Sequence, residues 1–212
     1  MTGPSVALLL VALAFAAGDW LARLRHDARL EYVCKPATLL ALIGVALTLT
    51  PAPDMGARRW WFVAALGFSL VGDILLMLRT EFFVAGLAAF LVGHLCYLGG
   101  FWVRGPTGRA LTISAVVVVT VVAPFGARIL KALRGRRQLV GPVALYMLVI
   151  SAMLATALAT GNVSAGAGAA LFVSSDTMIA WNRFVRPFPM ADVGIMVAYH
   201  LGQAALVLSL LH

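Results

Sequence analysis

Two aspartates, Asp73 and Asp176, interrupt long apolar runs, each just after a small residue, in Gly72-Asp73 and Ser175-Asp176. An ionisable group within hydrocarbon costs roughly 2.5–3.5 kcal/mol on insertion scales, so such groups usually face a bundle interior or a wet cavity. Arg79 and Arg183 end the two runs six and seven residues further on. At helical rise both carboxyls then lie about 10 Å inside the same membrane surface. Two carboxyls meeting at one depth titrate as a unit, one holding a proton and the other ionised. That is the division of labour of a general acid and a general base. The structural alternative is an aspartate bonded to Ser, Thr or backbone of another helix, or paired with Lys35.

Further candidates lie around this layer. Lys35 sits one turn into its helix on the same side, and Asp19 is shallower, four residues before Arg23. Asn182 and Arg183 end the seventh helix, where a phosphate would enter an inward-opening hollow. Tyr97, Tyr146, Tyr199 and Gln203 can donate to a polar head group or serve packing. His94, 13 residues beyond Glu81, is placed about 20 Å deep, as the floor of the hollow. His200 lies near the aspartate layer. A zinc site needs three or four converging ligands, and the two helical histidines have no ligand spacing. No metal and no other cofactor is expected. Cys34 and Cys96 read as packing residues, and no G-x-S-x-G nucleophile elbow is present.

The elements that must carry these residues follow from composition. The 212 residues are 62% hydrophobic and 11% charged, with mean hydropathy +0.99, whereas a soluble domain is about a quarter charged. Apolar blocks near the ~20 residues of a membrane-crossing helix recur eight times. They run about Ser5–Leu24, Tyr32 to before Pro51, Trp60–Leu78, Phe82–Val103, Ala110–Leu133 with a kink at Pro124, Pro142 to Gly161, Ala165–Asn182 and Met190–Leu211. Pro36 is placed in the first turn of the second, where a missing N–H is harmless. The fold class is therefore all-α: a polytopic membrane bundle of about eight transmembrane helices in a single domain, residues 1–212. Met-Thr-Gly-Pro-Ser lacks a basic leader, so the first apolar run is read as a retained helix.

Charge sets the expected topology. Arg23, Arg25, Arg29, Lys35, Arg79, Arg128, Lys131, Arg134, Arg136, Arg137, Arg183 and Arg186 fall on one side. Arg58, Arg59, Arg104 and Arg109 fall on the other. The richer side is assigned to the cytoplasm and both termini to the opposite side, in a bacterial inner membrane. The net charge of +8 thus belongs to loops, and no basic run with interleaved aromatics suggests nucleic acid. Phe15, Phe68 and Phe172 precede the aspartates of the first, third and seventh helices by four or five residues. This fits either a repeat of residues 1–105 in 106–212 or convergent use of small residues before a packed aspartate.

Two stretches resemble the YhhN-type lysoplasmalogenase membrane family. One is Gly72-Asp73-Ile-Leu-Leu-Met77, continuing through Phe83-Val-Ala-Gly86-Leu87 to Phe90-Leu-Val-Gly93-His94-Leu-Cys-Tyr97. The other is Leu171-Phe172-Val-Ser-Ser175-Asp176-Thr-Met-Ile-Ala180-Trp-Asn182-Arg183-Phe184. Lys35-Pro36 and Tyr199 with Gln203 fit the same pattern, whereas Asp19 and His200 fall outside it. The resemblance implies hydrolysis of the vinyl ether bond of lysoplasmalogens to a fatty aldehyde and a glycerophospho-base, with a lysophospholipid and water as partners. Vinyl ether hydrolysis proceeds by protonation of carbon and capture of an oxocarbenium ion by water. Asp73 and Asp176 are the expected catalytic pair, as in two-carboxylate glycosidases. Lys35, His94, Tyr97, Tyr146, Asn182, Arg183, Tyr199 and Gln203 are the expected substrate contacts, with Lys35 and Arg183 at the phosphate. The rival readings are a proton-coupled carrier built on intramembrane acids and a non-catalytic membrane scaffold.

Overall fold

The structure, a computed structural model, describes residues 1–53, 55–78, 80–103 and 105–211. Arg79 and Arg104, which entered the charge count, lie outside the described residues. Among the described residues, eight helices are each long and apolar enough to cross a membrane: α1 (Gly3–Arg25), α2 (Ala28–Thr48), α3 (Gly56–Leu78), α4 (Phe83–Trp102), α5 (Gly108–Ala132), α6 (Arg137–Ala159), α7 (Val163–Ala180) and α8 (Ala191–Leu208). No strand is present among the described residues.

Three starts lie four or more residues ahead of the sequence expectation, α3 among them at Gly56 rather than Trp60. α2 begins four residues earlier than expected, because the Asp27 carboxylate accepts hydrogen bonds from the Arg29 and Leu30 backbone N–H groups and caps the helix. Pro36 therefore lies inside α2 rather than in its first turn, and Lys35 is two turns deep. α6 begins at Arg137, so Pro142 is also internal, while α5 runs unbroken through Pro124. α7 ends in a π-helical turn, Trp181–Val185, a local widening often found at functional sites.

Packing orders the helices into a closed circuit. α1, α2, α3, α4, α6, α7 and α8 each pack on the next, and α8 returns to α1. α5 stands apart, packed along α6 and against the π turn of α7, and is the least buried of the eight. Outer faces are apolar, as lipid contact requires, with Leu10, Val33, Val116, Val119 and Leu148 all exposed. Trp60 and Trp102 are exposed near the helix ends opposite the arginine-rich loops, where amphipathic rings suit the interface. On that same face Thr2 donates to the Thr48 carbonyl, and the Ala52 N–H donates to the Leu210 carbonyl. Both ends of the chain therefore lie opposite the arginine-rich loops.

Lipid gives helices no hydrophobic drive to associate, so close backbone approach through small residues does that work. α7 and α8 show it best. A Cβ on Gly168 would stand 2.8 Å from the Leu206 nitrogen and 2.9 Å from the Gly202 oxygen. Neither neighbour is a side chain that can swing away. Gly168→Ala is therefore expected to lower the thermal midpoint in detergent, at an overpacking cost of about 1–3 kcal/mol. Gly3→Ala, with open space around it, is expected to leave the midpoint unchanged. Equal midpoints for the two variants would contradict the close approach.

Candidate active site

Counted from the arginine-rich ends of their helices, the polar residues form one layer. Asp73 lies about 7.5 Å in, Asp19 about 9 Å, Lys35 about 10 Å, and Tyr199, Tyr146 and Asp176 about 12–14 Å. Within this layer the two aspartates belong to different networks.

Asp73 is 1% exposed and uses both carboxylate oxygens. Lys35 Nζ lies 3.0 Å from Oδ1, and the Tyr199 hydroxyl donates to Oδ2 at 2.8 Å. Lys35 is itself 4% exposed. It is not at the mouth of a cavity holding phosphate but neutralises Asp73 between α2 and α3. Asp176 takes both of its bonds on one oxygen. The Tyr146 hydroxyl donates to Oδ2 at 2.5 Å, and His94 Nε2 lies 3.3 Å from the same atom and 2.9 Å from the Tyr146 hydroxyl. His94 thus touches Asp176 rather than flooring the cavity beneath it. The sequence estimate erred because His94 projects from α4 toward Asp176 on a helix running the opposite way.

An aromatic wall divides the networks. The Phe172 ring packs edge-on against His94 at 4.6 Å and against Tyr199 at 5.3 Å, and Phe90 packs on both Phe172 and Tyr199. No hydrogen bond or ion pair joins Asp73 to Asp176 among the described residues. The expected shared proton is thus replaced by two separately satisfied carboxyls. Gly72 and Ser175 explain their place beside the aspartates. A Cβ on Gly72 would meet the Phe90 ring at 2.6 Å, so only glycine lets the wall close over Asp73. The Ser175 hydroxyl donates to the Ile195 carbonyl and ties α7 to α8.

Only one of the two carboxyls opens onto space. An apolar cavity of about 80 Å³ is lined from α4, α5, α6 and α7, with Leu76 of α3 at its edge. It includes Tyr146 and Asp176 but not Asp73. The Asp176 side chain is 14% exposed. At the rim, Phe83 and Phe184 line the cavity, and the Arg183 guanidinium lies 3.9 Å above the Phe83 ring.

The remaining candidates are placed elsewhere. Tyr97 donates to Gln203 in a buried pair about 20 Å deep, off the cavity. The Asn182 side chain accepts from the Phe188 N–H and holds the turn after α7. His200 Nδ1 accepts from the Trp20 indole N–H. Asp19 is buried with Arg23 Nε 3.7 Å away. No group of three or more potential metal ligands occurs among the described residues. Sequence reasoning named the charged groups and tyrosines here but not Thr177 or the apolar lining, whose i, i+3, i+4 spacing on α5 and α7 matches that of any lipid-facing stripe.

The chain matches the sequence model of the YhhN family over residues 30–210. It belongs to that family. Lysoplasmalogenase TMEM86B of Homo sapiens is 35% identical over 178 residues, covering 84% of this chain and 73% of that protein. A lysoplasmalogenase of Mycobacterium tuberculosis is 34% identical over 189 residues, covering 85% of this chain and 69% of the relative. Lysoplasmalogenase TMEM86A of Homo sapiens is 31% identical over 156 residues. No solved structure matches the chain.

The Lys35–Asp73 pair carries a direct test. Removing one partner of a buried pair strands the other and costs about 3–5 kcal/mol, whereas removing both charges is often neutral. Lys35→Met is expected to lower unfolding stability in detergent by that amount, and Lys35→Met with Asp73→Asn to recover most of it. Equal stability of wild type and Lys35→Met would show that water reaches the pair.

Proposed function

We propose that this chain is a lysoplasmalogenase: a membrane hydrolase that cleaves the vinyl ether bond of lysoplasmalogens with water. One observation carries the reading to the residues, namely a carboxyl held by two donors at the wall of an apolar cavity within the membrane. The curated relatives, lysoplasmalogenases by name, supply the reaction class. Nothing in them favours the carrier.

The geometry suits protonation of carbon. Tyr146 and His94 both engage Oδ2 of Asp176, so a proton on Oδ1 leaves the acid free to face the cavity. Oδ1–H delivers its proton to the β-carbon of the vinyl ether. The π pair forms the new C–H bond, and the cation develops on the α-carbon, shared with the ether oxygen. The Asp176 carboxylate left behind steadies that cation. Water adds to the α-carbon and gives its proton back to Asp176, as an acid/base carboxyl does in two-step glycoside hydrolysis. The hemiacetal then collapses. Its hydroxyl proton passes to the departing glycerol oxygen, and the products are an aldehyde and a glycerophospho-base. Asp73, sealed against Lys35 and Tyr199, is a positioning residue that fixes the wall behind the cavity.

Spacing along α7 supports the head-group assignment. Arg183 lies seven residues beyond Asp176, about 10 Å at helical rise. The phosphorus and the vinyl β-carbon of a lysoplasmalogen are seven bonds apart, about 8–9 Å extended at ~1.2 Å per bond. A phosphate at Arg183 therefore sets the double bond beside Asp176. The arginine-rich face is assigned to the cytoplasm by the positive-inside rule, so the cavity mouth opens there, in a bacterial inner membrane.

Purified protein given lysoplasmenylethanolamine is expected to release aldehyde, and none from the saturated ether analogue. In heavy water the aldehyde is expected to carry one deuterium on the carbon next to the carbonyl. Turnover of the saturated ether would refute carbon protonation. Arg183→Gln is expected to raise KM about tenfold, the worth of one charge-assisted hydrogen bond, with kcat little changed. An unaltered KM would remove Arg183 from the head-group site.

A further inference from the structure

The cavity has too little depth for the rest of the substrate. Its deepest lining residues, Val173 on α7 and Ile150 on α6, lie only three and four residues beyond Asp176 and Tyr146. That is about 4.5–6 Å, room for about five methylene groups at ~1.2 Å per bond. A hexadecenyl chain has fourteen carbons beyond its vinyl group.

The side of the cavity offers the space that the floor does not. α5 packs along α6 and meets the π turn of α7, but it does not pack along α7 itself. Near the arginine-rich end the two are latched, with the Phe125 and Trp181 rings 6.1 Å apart and the Arg128 guanidinium 6.0 Å from the Trp181 ring. Deeper in the membrane, Val122 of α5 and Val173 and Thr177 of α7 line the cavity from its two sides. Val122 and Thr177 line the cavity and are both part-exposed, and Phe125 above them is 44% exposed, so this side of the cavity communicates with the outer surface. That surface belongs to spanning helices and faces hydrocarbon.

We propose that the gap between α5 and α7 is a lateral door occupied by the substrate's hydrocarbon chain, which stays in the bilayer while the vinyl ether sits at Asp176. The inference rests on the lysoplasmalogenase reading. It says how the lipid reaches the acid: sideways from the membrane, head toward Arg183, tail left outside. It also fixes a specificity. A chain that lies in hydrocarbon both before and after binding gains nothing per methylene, whereas a closed slot entered from water gains about fourfold for each one buried. The enzyme is selective for the distance between phosphate and vinyl ether and indifferent to the length of the tail.

The test uses the purified full chain in nanodiscs, with lysoplasmenylethanolamines from decenyl to octadecenyl at equal mole fraction in the bilayer. kcat/KM is expected to stay within about threefold across the series. Val122→Trp is expected to reduce turnover of the hexadecenyl substrate relative to a water-soluble butenyl analogue by about tenfold or more. A sharp length cut-off, or a loss by Val122→Trp that is equal for both substrates, overturns the door. Should wild type cleave no vinyl ether, the functional reading fails by itself, and the door is judged by labelling alone. A lysophosphatidylethanolamine with a diazirine at mid-chain is expected to label Val122, Phe125 and Thr177. Labels confined to Ile150 and Val173 would show a chain coiled within the cavity, and the proposal would fall.

Discussion

A charge inside a hydrocarbon layer must bring its own partner, and that constraint organises this molecule. Lys35 and Asp73 satisfy one another between α2 and α3, and Tyr199 adds a bond from α8. Asp176 on α7 is met by Tyr146 from α6 and His94 from α4. Each carboxyl thus ties three helices together. The two differ in what is left over. Both oxygens of Asp73 are committed, whereas Asp176 is held through a single oxygen beside an open cavity. Chemistry is assigned to the carboxyl whose partners leave it a face.

The apolar residues enforce that asymmetry. Phe172 stands between His94 and Tyr199, and Phe90 fits into the space left by Gly72. The wall keeps Lys35 and its charge on the far side of the ring, away from the cavity. On the near side, the π turn after α7 carries Arg183 over Phe83 at the rim. The cationic group and the acid then stand on one helix, at a separation set by helical rise. A lysolipid is amphipathic over that same distance, with phosphate at one end and the reactive double bond at the other.

Much of this was legible in the residues. Eight apolar runs gave eight helices, because an apolar stretch of membrane length has few alternatives to a helix. The intramembrane Asp73 and Asp176 stood out for the same energetic reason, and Tyr146 and Arg183 were named with them. Pairing was legible only as an alternative: the residues offered Lys35 as a partner for an aspartate, and the structure assigns it to Asp73. Lys35 looked like a phosphate ligand because a lysine near a helix start is usually close to water. The Asp27 cap places it two turns deep instead, where Asp73 neutralises it. Asn182 was named for its position, but its side chain is used by the turn it sits in. The residues place Asp73 and Asp176 at one depth, but the two differ by about one helical turn, and depth along an axis says nothing of rotation about it. The phase of each helix, and with it the separation of the two carboxyls, is set by side-chain packing such as that of Phe90 on Gly72.

The central claim is that Asp176, on its own, is the group that protonates the substrate. The most direct measurement compares Asp176→Asn with wild type for aldehyde release from lysoplasmenylethanolamine, in protein shown by its thermal midpoint to be folded. Asparagine keeps the shape and still accepts from Tyr146 and His94, but it has no carboxylic proton to give. Turnover is expected to fall by about a hundredfold or more, the usual worth of a positioned acid. A folded Asp176→Asn protein that releases aldehyde near the wild-type rate would contradict the claim.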